Sequence, residues 1–106
     1  MRGDFVVVSL KGDYGKPRPA LIIQSDLFDE HPSVTVMPVT SELRDTPLFR
    51  LRVEPDASNG LARPSQVMID KIQTVARDRV GEPIGRLEDS AMTQVNRLMA
   101  LFLGLG

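Results

Sequence analysis

At 106 residues with 42% hydrophobic and 25% charged side chains, the chain has the size and balance of one folded domain spanning residues 1–106, with one core and one site, and nothing of a disordered tail. Its formal net charge of -1 excludes strong overall attraction to nucleic acid, so any polyanion site must be local. With no cysteine and a single histidine, His31, disulfides, thiolate metal sites and histidine clusters are excluded; no cofactor or metal is expected, and a reducing cytoplasm fits.

Phe5 to Leu10, FVVVSL, is rich in β-branched residues and bounded by turn formers, Gly3-Asp4 before and Lys11-Gly12-Asp13 after, which predicts a buried strand. Residues 20–24, ALIIQ, predict a second strand and a hairpin with a long glycine- and proline-rich tip. Val34 to Val39 and Leu48 to Val53 alternate in strand fashion. In the latter, Arg50 and Arg52 mark one polar face, as on an edge strand. After a PDASNG turn at 55–60, SQVMIDKIQTVAR predicts two short strands or one bent one, and Gly81, Pro83 and Gly85 are expected to break the pattern.

Ala91, Met92, Val95, Leu98, Met99 and Phe102 keep the 3, 4 spacing of one helical face. Glu88 and Asp89 suit the start of that helix and Gly104 its end. The apolar run from Leu98 to Leu105 is too short to cross a bilayer, and no export signal is visible at the N-terminus. Strands followed by one helix predict a mainly β fold, a small antiparallel barrel or sheet with a C-terminal helix.

A paired-histidine mechanism is impossible within one chain, and there is no G-x-S-x-G elbow or phosphate-binding glycine loop. The remaining chemistry is a guanidinium at Arg18, hydroxyls at Thr40 and Ser41 where the third strand ends, and scattered carboxylates. Such a set suits a phosphate, whose oxygens match the planar donors of arginine. Pro17 and Pro19 restrict the backbones of Lys16 and Arg18 to extended angles, so Arg18 is rigidly placed. A solvated loop arginine, an ordinary turn at Thr40-Ser41 and a structural Asp70–Lys71 ion pair are the plain alternatives for these residues, and His31 reads as an exposed loop residue.

The order of short landmarks along the chain resembles the MazF/PemK family of toxin endoribonucleases from bacterial type II toxin-antitoxin modules. They are R-G-D at Arg2 to Asp4, G-x-x-R-P-A-L-I-I at Gly15 to Ile23, P-V-T-S at Pro38 to Ser41, Gly60, I-x-T-V at Ile72 to Val75, and a terminal helix introduced by Leu87. The resemblance implies an SH3-like antiparallel barrel with a C-terminal helix, a homodimer, a cognate antitoxin as partner, and metal-independent cleavage of single-stranded RNA. In that scheme the 2′-hydroxyl attacks the adjacent phosphorus, leaving 2′,3′-cyclic phosphate and 5′-hydroxyl ends. Arg18 falls on the family's catalytic arginine and Thr40 on its catalytic threonine, with Ser41 beside it.

Some PemK-like members use an aspartate and an arginine two residues earlier as base and acid. The aspartate falls on Asp70, whereas the arginine position holds Met68. RNA-binding residues are expected at Lys11, Asp13, Tyr14, Lys16 and Lys71, with the ring of Tyr14 available for base stacking, although this chain's G-D-Y-G hairpin tip is shorter than the family's usual one. Two stretches, I-Q-S-D at 23–26 and L-F-L-G-L at 101–105, resemble CcdB, a gyrase poison with the same fold, which is the alternative reading. That family lacks the R-P hairpin and contacts gyrase through a tryptophan, and this chain has none.

Overall fold

The structure is a computed structural model in which residues 1–9 and 16–105 are described. Seven strands precede a single helix: β1 (Asp4–Ser9), β2 (Pro17–Ile22), β3 (Ser33–Thr40), β4 (Arg50–Val53), β5 (Ser65–Met68), β6 (Gln73–Ala76), β7 (Val80–Arg86) and α1 (Asp89–Leu103). All the ladders are antiparallel, in the order β4-β5-β3-β2-β1-β7, with β6 also on β3. The expected mainly β architecture with a C-terminal helix is therefore realised. The hairpin of β1 and β2 forms as read, and its tip lies outside the described residues.

β3 organises the sheet. Residues Ala20 to Ile22 of β2 pair with Val36 to Pro38 of β3; β6 takes the N-terminal half of β3 from Ser33 to Val36, and β5 pairs with Val39 and Thr40 at its C-terminal end. Strand alternation sends Met37 and Val39 to one face and Val34 and Val36 to the other. The first face joins Phe5, Leu21, Val67 and Ile69 in a cluster capped by Leu87, Met92 and Val95 from the helix and its approach. The second joins Val6, Val8, Ala20 and Ile22. Both faces of the central strands are buried, which explains why FVVVSL is nearly unbroken in its apolar character.

Three features depart from the sequence reading. First, β2 begins at Pro17, three residues earlier than expected, because β1 pairs along its length as far as Ser9↔Pro17; Arg18 thus lies within a strand. Second, residues 80–86 do not break the pattern but form β7 on the outer edge of β1. Pro83 is tolerated on this outer strand, and register shifts between Phe5 and Val8 mark bulges in the pairing. Gly85 is needed there because a Cβ would come within 2.2 Å of the Asn59 carbonyl. Third, Phe102 is 50% exposed instead of facing the core, since the burial of α1 ends with Met92, Val95 and the half-buried Leu98 and Met99.

The helix stops where read. Gly104 adopts φ 73, and the amides of Gly104 and Leu105 donate back to Leu101 and Ala100, a Schellman closure that only glycine enters without strain. Among the described residues no helix is long and apolar enough to cross a membrane.

Candidate active site

The β2–β3 register fixes the site. Ala20 pairs with Pro38, so the same register carried two residues further sets Arg18 across from Thr40 on the same face. The ladder between these strands covers Ala20 to Ile22, so Pro17 to Pro19 lie on the strand edge beyond it, with β1 along their other side. Proline is tolerated at such an edge. The separated strand ends open a groove of about 480 Å³ with Arg18 and Pro19 on one side and Pro38 to Glu42 on the other.

Thr40 is half-buried, and its Oγ1 accepts the amide proton of Glu42 at 3.1 Å. That turn fixes the hydroxyl oxygen and leaves its own proton to donate. Ser41 is exposed on the same groove. The far wall is the 61–63 turn, with Leu61, Ala62 and Arg63, and the floor is closed by Met68 and Arg50 across the β4–β5 pair. Three guanidiniums, Arg18, Arg50 and Arg63, face one carboxylate, Glu42, among the described lining residues. The hydrogen bond and charge of Arg44, with Nη2 2.9 Å from Oε1, hold the Glu42 carboxyl below the usual range, so it is ionised near neutrality. Among the described lining residues the groove thus holds more guanidinium than carboxylate charge, with Glu42 itself engaged by Arg44, which suits a phosphate.

Arg18, Thr40 and Ser41 line the same groove, and Asp70 and Lys71 are not among its lining residues. Both belong to a 3₁₀ turn, Ile69–Lys71, between β5 and β6, outside the groove lining. Asp70 Oδ1 is buried without a hydrogen-bond partner, and no Asp70–Lys71 ion pair forms among the described residues. Successive side chains on such a turn diverge by roughly 120°, which explains why adjacency in sequence does not join them. Lys16 is exposed just ahead of β2. Lys11, Asp13 and Tyr14 lie outside the described residues, and His31 is exposed as read.

Arg50 and Arg63 were not singled out from the sequence. Arg50 read only as the polar face of an edge strand; its place on the groove depends on pairing with Met68, which no local pattern reveals. Arg63 lies in an irregular turn whose course is set by buried Asn59.

A family model of the PemK-like, MazF-like toxins of type II toxin-antitoxin systems matches residues 1–103. The chain belongs to this family. The toxin is 46% identical over 105 residues to the probable endoribonuclease MazF of Mycolicibacterium smegmatis, covering 98% of this chain and 96% of that one. The solved structure of the Mycobacterium tuberculosis toxin MazF-mt6 superposes with a TM-score of 0.79 at 30% identity, over 92% of this toxin and 93% of that chain. An endoribonuclease in complex with its cognate antitoxin from a mycobacterial species superposes with a TM-score of 0.83 over 100% of this toxin and 96% of that chain; at 23% identity that likeness speaks for the fold.

Proposed function

We propose that Arg18 and Thr40 are the pair with which this MazF-type toxin endoribonuclease cuts single-stranded RNA. The observation that supports the reading is that both line one guanidinium-rich groove, on neighbouring strands whose register, extended two residues past the last pair Ala20↔Pro38, points them toward each other. The substrate's 2′-hydroxyl is the nucleophile. As it attacks the adjacent phosphorus its proton passes to water, the bond from phosphorus to the 5′-oxygen breaks, and that oxygen takes a proton from water, so the products carry a 2′,3′-cyclic phosphate and a 5′-hydroxyl. Arg18 donates to the non-bridging oxygens as negative charge grows on the phosphorane, and Thr40 Oγ1 donates to one of them while its lone pair holds the Glu42 amide.

Ser41 adds a hydroxyl at the rim. Asp70 lies outside the groove lining and has no part in this scheme. The nucleophile comes from the substrate, so the scheme calls for no metal. The toxin acts in the cytoplasm as a single domain, as a homodimer, and under control of a cognate antitoxin. The dimer reading is supported by Leu101, Phe102, Leu103 and Leu105, which leave an apolar cluster exposed at the end of α1. The antitoxin reading is supported by family membership and by the mycobacterial relative captured with its own antitoxin.

The test is incubation of wild-type protein and Arg18→Ala with long single-stranded RNA in EDTA, followed by analysis of the fragment ends. Cyclic-phosphate ends from the wild type alone are expected. Two unrelated RNAs left intact by the wild type, together with inhibition of gyrase supercoiling, would overturn the reading in favour of a gyrase poison.

A further inference from the structure

Beside the Arg18–Thr40 groove lies a second, larger cavity of about 760 Å³, bounded by the 43–47 loop, the β4–β5 pair and the helix residues Gln94, Arg97 and Leu98. One charged side chain lines both spaces, Arg50. We infer that Arg50 is a substrate-binding residue which holds the phosphate next to the scissile one and leads the RNA strand from the cleavage groove into this second cavity. The inference rests on the proposed RNA-cleaving role of that groove.

The bonding of Arg50 sets it apart from its neighbours. Arg44 and Arg52, which line the same cavity, are each paired with a carboxylate, Glu42 at 2.9 Å and Glu54 at 2.7 Å. Arg50 is half-buried, yet no carboxylate lies within ion-pairing distance among the described residues. Its Nη1 donates to the Glu42 carbonyl and to Gln66 Oε1, both at 2.9 Å; its Nη2 meets only the Met68 sulfur, at 3.7 Å; and its Nε is buried without a partner. Its direct partners are neutral acceptors, and the one carboxylate whose charge it feels, Glu42, is bonded to Arg44, so a half-buried guanidinium keeps a face that favours an anion.

That face is held in place. Gln66 is 7% exposed and is bound at both ends: Oε1 accepts the Arg44 amide at 3.1 Å as well as Arg50, while Nε2 donates to the Arg44 carbonyl at 2.8 Å. The two backbone bonds fix which end of the amide is oxygen, so the acceptor always faces Arg50. Gln66 is a positioning residue, and Arg50 is preorganised before any ligand arrives. Beyond it, Arg97 adds a cation without an ion-pair partner among the described residues, set against the carboxylate of Asp45 in the same lining, and Leu43, Leu51 and Leu98 supply apolar wall against which bases can lie.

The experiment measures steady-state cleavage of a single-stranded RNA oligonucleotide by wild type, Arg50→Met and Arg50→Lys over a salt series, with melting temperatures recorded alongside. In Arg50→Met, KM is expected to rise about 10-fold with kcat within about 3-fold, as for loss of one backbone contact. The slope of log KM against log salt becomes shallower by about 0.7, the value for one phosphate on a single strand. Arg50→Lys restores the slope, which a purely structural role would not do. An unchanged slope in Arg50→Met, or a loss confined to kcat, overturns the inference. If wild type cuts no RNA, the cleavage reading fails separately, and Arg50 is judged by fluorescence anisotropy with the same oligonucleotide: a shallower salt slope of binding in Arg50→Met upholds it, an equal slope overturns it.

Discussion

Replacing Asn59 with alanine should unfasten the turn that forms the far wall of the groove. Asn59 is 2% exposed, and its side chain makes three bonds to backbone: Oδ1 accepts the amides of Asp56 at 3.1 Å and Leu61 at 3.0 Å, and Nδ2 donates to the Glu54 carbonyl at 2.8 Å. At about 1 kcal/mol net for each bond, the alanine variant loses about 3 kcal/mol. In a chain of this size each kcal/mol moves the midpoint by about 4–8 °C, so Tm should fall by roughly 12–24 °C. Asn59→Asp keeps both acceptor bonds but turns an oxygen toward the Glu54 carbonyl. Its loss should be of the same sign, and Asn59→Ser, too short to reach all three groups, should resemble alanine. Thermal unfolding followed by circular dichroism reads these shifts. A midpoint for Asn59→Ala within about 3 °C of wild type would refute the idea that these bonds, rather than packing of Gly60 and Gly85, hold the turn.

Two further outcomes follow from the site and its loops. Thr40→Val keeps the β-branched shape on β3 but has no hydroxyl, so RNA cleavage should fall by about two to three orders of magnitude while Tm falls by no more than about 4–8 °C, the share of the one lost bond from the Glu42 amide; near-normal turnover in a gel assay would remove Thr40 from the chemistry. Asp56 is held below its ordinary value of 3.8 by hydrogen bonds from the Ser58 hydroxyl, the Asn59 amide and the Ser58 amide. A depressed folded-state pKa contributes stability that is full above the unfolded value and is lost as pH falls through the folded one. Asp56→Asn should therefore be less stable than wild type near neutrality and approach it as urea melts are taken to lower pH; a gap that stays constant down to about pH 2 would count against the linkage.

The fold was legible where periodicity was strong. The cores of β1, β2 and β3 and the course of α1 follow from local apolar spacing, and Arg18 and Thr40 stood out through their resemblance to a family pattern. β7 was hidden because its glycines and prolines serve the partners it meets, β1 and the Asn59 turn, and those partners are distant in sequence. Arg50 was hidden for a related reason: a cation alternating with leucine is ordinary on an edge strand, and only the cross-strand pairing with Met68 brings it to the groove. Asp70 shows the converse. It was matched by its position in a family pattern, and it lies on the Ile69–Lys71 turn, which does not contribute to the groove lining.

The pairing of β1 with β7 has a consequence for the order in which the toxin is made. Chain synthesis delivers β1, β2 and β3 early, and with them Arg18 and Thr40, but the outer edge of β1 is closed by residues 80–86 and the cluster around Phe5 and Leu21 is covered by residues 87–99. Contacts between the two ends of a chain form only after both have emerged, and a domain generally folds as a unit. A ribosome translating this protein therefore releases the Arg18–Thr40 groove in folded form only after residues 80–99 have emerged. A nascent chain that has yielded β1 to β3 but not β7 and α1 thus carries both residues without the edge strand and the helix cover that hold their sheet in place.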